Sequence, residues 1–225
     1  MSDKRLDGKR VLLTQADDYM GPATIEVFEE HGATIIADST DLTETGAAED
    51  VVANAGHIDI LIANLAAPAG SNKAVDIDDD EWQLKFDVMV HPLHRLCRAV
   101  LPQMYERQRG KVVVYGSATG LKPKSTVSAY SAARSAQVGY VKAAGQEAAR
   151  HNVQINLIAQ NFVENPVYYP EEFIDTEAYK KMMKQVPLGR LATGREDALF
   201  ALFLASNESD FFVGQTIPFA GGWLQ

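Results

Sequence analysis

The chain has 225 residues, a hydrophobic content of 46% and a formal net charge of −9. That length and apolar share can bury one good core, so a single domain over 1–225 is expected. The acidic balance argues against nucleic acid and against anionic membrane surfaces as partners.

Read in chain order, the opening "MSDKRLDGKR" has no apolar h-region, so no secretory leader is expected. No later apolar run approaches the ~20 residues of a membrane span. "RVLLT" (10–14) is an apolar run without alternation, the pattern of a buried strand. Residues 20–31 carry Met20, Ile25, Val27 and Phe28 at helical spacing and stop at "HG". "ATIIA" (33–37) is a second strand. "TDLTETGAAEDVVANAG" (40–56) reads as a helix with a Thr/Asp start and a Gly56 stop. "IDILIAN" (58–64) is a third strand. A long loop, 64–81, ends in Asp76 and Asp78–Asp80, which suit a helix start because acids favour a helix N-terminus.

Two helices follow, 79–90 and 92–107, split before Pro92. The second holds the one cysteine, Cys97, in the helical pattern "HRLCRAVL", which assigns it to core packing. A single cysteine excludes an internal disulfide and fits a reducing cytoplasm. "GKVVVYGS" (110–117) is strand four, 127–151 one long helix and "VQINLIA" (153–159) strand five. One or two helices lie in 170–186. "REDALFALFLAS" (195–206) is a further helix, and "GQTIPFAGG" (214–222) contains a last strand. The five histidines, at 31, 57, 91, 94 and 151, show no HxH or HExxH spacing, so no metal site is expected.

Strands that alternate with helices specify an α/β fold with a parallel sheet covered on both faces. In such a sheet ligands bind outside the carboxyl ends of the strands, which points to Thr14–Gly21, Asp38, Asn64, Ser117 and Gln160–Val163. Ser117 ends strand four, and Tyr130 and Arg134 share one face of the next helix by i,i+4 spacing. A guanidinium beside a phenol favours phenolate, so this pair suits a general base, with the serine holding the oxygen that gives up its proton. Spacing alone leaves open a loop serine and a Tyr–Arg pair without chemistry.

Ser117-x12-Tyr130-x3-Arg134 resembles the active site of the short-chain dehydrogenase/reductase superfamily, whose pattern is Ser…Tyr-x-x-x-Lys on a doubly wound Rossmann sheet. The order of elements agrees over the whole chain, including "VGQTIPFAGGW". The lysine that holds the nicotinamide ribose is here Arg134. The cofactor turn Thr-Gly-x-x-x-Gly-x-Gly reads Thr14-Gln-Ala-Asp-Asp-Tyr19-Met-Gly21, with Gln15 and Tyr19 in place of two glycines. Together these departures resemble one branch, the halohydrin dehalogenases, marked by Thr-x4-(Phe/Tyr)-x-Gly and Ser-x12-Tyr-x3-Arg.

That resemblance implies a cofactor-independent and metal-free displacement of halide from a vicinal halo-alcohol, giving an epoxide, in a homotetramer built from long-helix pairs. Tyr130 is then the base, Ser117 the oxygen holder and Arg134 the group that lowers the phenol pKa. Gln160, Asn161, Phe162 and Val163 carry over as a halide loop that presents backbone N–H groups and ring edges to the anion. Tyr19 walls the halide pocket, and Tyr169 adds a ring, with Tyr168 an equal candidate. Ala66, Ala118 and the helix of the 170s are expected pocket walls, and Ala132, Ala133 and Ala136 a face for close helix approach. Asp38, at the ribose-binding position, is read as a relic or a cap. Leu65 stands where some members carry an acid to orient the arginine, so Arg134 needs another partner. Two other classes stay open. An NAD(P)-dependent short-chain oxidoreductase needs the missing glycines and lysine. A catalytically inactive Rossmann-type sensor explains the lost glycines but not the presence of Ser117 and Tyr130.

Overall fold

The computed structural model describes residues 4–224, so residues 1–3 of the opening stretch and Gln225 lie outside it. The chain begins with β1 (Arg10–Leu13), α1 (Gly21–Glu30), β2 (Thr34–Ala37), α2 (Ala47–Ala55) and β3 (Ile60–Asn64). It continues with α3 (Asp79–Met89), α4 (His91–Glu106), β4 (Gly110–Ser117), α5 (Ser128–Ala149) and β5 (Val153–Gln160). The short helices α6 (Glu171–Ile174) and α7 (Glu177–Met183), then α8 (Gly194–Ala205) and β6 (Thr216–Phe219), complete it. Among the described residues six strands form one parallel sheet in the order β2-β1-β3-β4-β5-β6.

Strand side chains alternate between two cores. Leu12, Leu61, Val112, Val114, Ile155 and Leu157 meet α2, α4 and α5 on one face. Val11, Leu13, Ile60, Ile62, Val113 and Ile158 meet α1 and α8 on the other. The central strands are buried on both faces and therefore lack the polar–apolar alternation of a half-exposed strand. Cys97 is buried in the first core, where desolvation pushes its thiol up to about 12. Asp78 caps α3 by accepting the Glu81 N–H at 2.7 Å.

Two local differences from the sequence reading have physical causes. Residues 40–46 are turns rather than helix: Asp41 accepts the Thr43 N–H at 2.9 Å, an Asx turn, and Gly46 sits at φ 87° before α2 begins. Ala133 is not available to a partner helix, because it packs inside the chain against Met89 and Tyr130. Ala132 and Ala136 remain part-exposed on α5. No helix among the described residues is long and apolar enough to cross a membrane.

The strand order reverses between β1 and β3, and their carboxyl ends frame a crevice. Register then aligns the other strand ends beside it. Asn64 pairs with Tyr115, Ser117 with Gln160, and Gln160 with Phe219.

Candidate active site

A cavity of about 220 Å³ opens at these strand ends. Ser117 reaches it from the last residue of β4, and its Oγ is hydrogen-bonded to Thr119 Oγ1 at 2.9 Å. A 3₁₀ turn, Ala118–Gly120, carries the chain onto α5. Only glycine fits at 120, since a Cβ there would lie 2.8 Å from the Arg134 carbonyl oxygen. The turn therefore seats directly on the helix that bears Tyr130 and Arg134. Both side chains are buried and line the cavity.

Arg134 Nη1 donates to the Leu65 and Tyr115 carbonyls at 2.9 and 3.1 Å and to Gln137 Oε1 at 2.9 Å. Gln137 is itself fixed by donating to the Met89 carbonyl at 2.7 Å. The partner sought for the arginine is thus a backbone carbonyl at Leu65 and an amide one helical turn away, not a carboxylate. Its Nε is buried without a partner. The guanidinium lies 5.1 Å from the Tyr130 ring centroid. Burial opposes ionisation of Tyr130, but the Arg134 charge, with the polar side-chain groups of Tyr168, Arg134 and Ser117 beside the phenol, outweighs it and holds the phenol below its ordinary value.

The other phenols of the cavity move the opposite way. Burial, followed by the Tyr130 charge, raises Tyr168 and Tyr19, while Tyr169 is pushed up to about 12, chiefly by burial. Tyr168 donates its hydroxyl proton to the Ala67 carbonyl at 2.8 Å, and its ring meets Tyr19 at a centroid distance of 5.8 Å. Tyr19, Tyr168 and Tyr169 all line the cavity.

The loop after β5 supplies the remaining wall. Gln160, Asn161, Phe162 and Val163 all line the cavity, but the loop's hydrogen bonding differs from the expected backbone cradle. The Asn161 N–H donates to the Phe219 carbonyl at 3.0 Å, and the Phe162 N–H to Asn161 Oδ1 at 3.1 Å. Those two amides are taken. Binding through Oδ1 turns the other end of the Asn161 amide away, and Nδ2 is left buried without a partner. An unpaired buried donor costs roughly 1–3 kcal/mol. Phe162 holds φ 60°, a left-handed strain that belongs to this same turn. Gln160 points its amide inward to Asp197 on α8. Of the expected walls, Ala66 lines the cavity, whereas Ala118 is fully buried beneath it. The 170s contribute Glu171 and Glu172 only to a neighbouring depression that shares Tyr19 and Tyr169.

The turn after β1 is closed on itself. Gln15 accepts from the Ala66 N–H at 2.7 Å and donates to the Ala66 carbonyl at 3.1 Å. Asn64 Nδ2 donates to the carbonyls of Gln15 and Asp18 at 2.9 and 3.0 Å. The N–H groups of Ala16, Asp18 and Gly21 are each bonded to a backbone carbonyl, those of Asp38, Gln15 and Asp18. Gly21 is required for packing alone, since a Cβ would fall 2.1 Å from the Ala16 carbonyl oxygen. Asp38 caps its own turn through Thr40 N–H at 3.0 Å.

A family profile described as enoyl-(acyl carrier protein) reductase matches residues 5–224. The chain belongs to this family, within the short-chain dehydrogenase/reductase superfamily. Among the superfamily's curated members, a 3-oxoacyl-[acyl-carrier-protein] reductase of Vibrio harveyi is 30% identical, covering 96% of this chain and 98% of its own. The corresponding reductase of Thermotoga maritima is 28% identical, covering 97% and 98%. Among solved structures, one named "Dehalogenation enzyme" superposes with a TM-score of 0.92 at 29% identity, covering 98% of this chain and 100% of its own. A gluconate 5-dehydrogenase from Burkholderia cenocepacia, in complex with NADP and tartrate, gives 0.89 at 26% identity, covering 98% and 97%.

Superfamily members that transfer hydride bind a dinucleotide at the turn after the first strand, and residues 14–21 do not fit one. Pyrophosphate needs free backbone N–H groups and glycines that let it approach. Here three turn amides are internally bonded, and Gln15 and Tyr19 occupy glycine positions with side chains turned toward β3 and the cavity. Among the described residues no three His, Cys, Asp or Glu converge as a metal-ligand set.

Sequence reasoning missed Thr119, Gln137, Lys124 and Asp197. Gln137 had a signal in its i+3 spacing from Arg134. Asp197 had none, because it reaches Gln160 only through the packing of α8 beneath β5.

Proposed function

We propose that this protein is a halohydrin dehalogenase that converts a vicinal halo-alcohol to an epoxide and a halide ion without a cofactor. One observation carries the reading. A phenol held below its ordinary value and Asn161, whose Nδ2 is buried without a partner, line one small cavity whose nucleotide side is closed. The likeness to a structure named "Dehalogenation enzyme" supports it.

Tyr130, as phenolate, takes the hydroxyl proton of the halo-alcohol while Ser117 donates a hydrogen bond to the substrate oxygen. The alkoxide attacks the neighbouring carbon in line, the carbon–halogen bond breaks, and its electron pair leaves with the halide. The anion departs toward Asn161 Nδ2 and the positive edges of the Tyr19 and Phe162 rings. Arg134 keeps the phenol ionised and the proton passes to solvent. Nucleophile and leaving group sit in one molecule, so the barrier falls mainly through positioning. In reverse, a small anion such as azide, cyanide or nitrite opens the ring. We also propose a homotetramer, to be read by light scattering.

The test is chloride release and acidification from 1,3-dichloro-2-propanol with no added cofactor. Both are expected in equal amounts. No chloride release, together with nicotinamide-dependent reduction of a 3-oxoacyl thioester, would replace this reading with the activity named for the reductase relatives.

A further inference from the structure

Two charged side chains line the cavity, and both are cations, Arg134 and Lys124. Among the described residues no aspartate or glutamate lines it. This is unexpected in a chain with 30 acidic and 21 basic residues. Arg134 is committed to three acceptors within the protein. Lys124 is not. It stands at the mouth, exposed on its solvent side, on the loop between Ser117 and Tyr130. Its ammonium sits 4.6 Å from the Trp223 ring centroid and 5.1 Å from that of Phe162. Lys122 lies over the same indole at 4.5 Å and donates to the Trp223 carbonyl at 3.2 Å. Among the described residues neither lysine has a carboxylate within ion-pair distance.

We propose that Lys124 is a specificity-determining residue that receives a carboxylate carried by the substrate, so that the preferred substrates are halo-alcohols, or their epoxides, bearing an acid group. This rests on the dehalogenase reading for the reaction but not for the binding. The rings of Trp223 and Phe162 hold the ammonium in place, which reduces the side-chain entropy lost when it pairs. Two like charges share one aromatic support, and an incoming anion relieves their repulsion. The seat is at the mouth, whereas the donor assigned to the leaving halide, Asn161 Nδ2, is buried. Tyr130 lines the same cavity, so a substrate that engages both can present its hydroxyl to it.

The experiment compares 4-chloro-3-hydroxybutanoate with its methyl ester, a pair that differs in charge at one end only. For the parent enzyme kcat/KM is expected to favour the acid by about tenfold, mostly through KM, the scale of one partly desolvated ion pair. Lys124→Met is expected to remove that preference and Lys124→Arg to keep it. An acid-to-ester ratio within twofold of the parent's in Lys124→Met overturns the proposal. So does an unchanged ratio with a raised bromide inhibition constant, which would assign the lysine to the halide. If no halo-alcohol is turned over, the dehalogenase reading fails on its own. The carboxylate seat is then read by calorimetric titration with 3-hydroxybutanoate and 3-hydroxybutanamide. Selective binding of the acid that is lost in Lys124→Met sustains it, and equal or absent binding of the two overturns it.

Discussion

The two halves of the crevice treat their polar groups in opposite ways. At the end of β1, Gln15 and Asn64 bond the turn to β3, and backbone carbonyls take the amides of Ala16, Asp18 and Gly21. At the ends of β4 and β5, Arg134 Nε and Asn161 Nδ2 are buried with no acceptor. A fold minimises unpaired buried donors, and each that remains calls for an explanation. The difference teaches which half is built to receive something. The β1 half bonds its polar groups internally, and on the reading proposed above the β4–β5 half is the site.

That contrast is open to attack by mutation. The largest effect should come from Tyr130→Phe, which removes one hydroxyl from the open half. Turnover is expected to fall about 10²–10⁴-fold, the range for a general base, with little change in melting temperature. Activity within tenfold of the parent would end the assignment.

Arg134→Gln should act next, by about 100-fold at neutral pH, and through pH dependence. The base works deprotonated, so kcat/KM rises with pH through the Tyr130 pKa and then levels. With the guanidinium present that pKa lies below the ordinary phenol value, and the rising limb falls at correspondingly lower pH. Without it, burial is unopposed, and the limb should move upward toward or beyond the ordinary ~10. A limb that stays in place would show that Arg134 does not tune Tyr130.

Asn161→Asp keeps the Oδ1 that accepts the Phe162 N–H but replaces the free donor with an acceptor that carries negative charge. Loss of one preorganised anion contact should weaken bromide inhibition by about ten- to a hundredfold. An unchanged inhibition constant would place the leaving anion elsewhere.

Gln15→Ala probes the closed half and should do the converse. It removes two hydrogen bonds to Ala66, so melting should drop by about 5 °C while turnover on 1,3-dichloro-2-propanol stays within twofold. A fall in rate with no fall in melting temperature would erase the distinction between the halves.

The smallest effect concerns Asp197, the buried carboxyl behind Gln160. Burial pushes its pKa up to about 8, against the donated Gln160 hydrogen bond. A raised folded-state pKa means that the stabilisation is complete below the unfolded value, ~3.9, and is lost as pH rises through about 8. The parent's melting temperature should therefore decline over that window. Asp197→Asn should flatten the decline by a few degrees, and a parallel pair of curves would show that the carboxyl is not neutral in the fold.

Much of this arrangement was readable from the sequence because it is local. The strand–helix alternation follows from apolar runs and capping residues. Ser117, Tyr130 and Arg134 belong to one strand–turn–helix segment, where spacing fixes direction. What was not readable depends on residues far apart in the chain. The direction of the Asn161 amide depends on β6, whose Phe219 carbonyl takes the loop's backbone N–H. The charge of the mouth depends on Trp223 folding back over Lys122 and Lys124. Residues 40–46 were misread because a Thr/Asp helix start and an Asx turn use the same residue types.

Gln15 and Tyr19 hold φ values of 44° and 51°, so the turn after β1 follows a glycine path with no glycine at either position. Each such residue stores on the order of 1 kcal/mol of backbone strain, offset here by the side-chain contacts it makes. A designer who wished to open this turn would find its main chain on a course that glycine follows without strain. The obstacles are the two side chains and the main-chain bonds that occupy the amides of Ala16, Asp18 and Gly21. A library that restores glycine at 15 and 19 would release strain as it empties the space, which makes this turn an economical starting point for converting the scaffold.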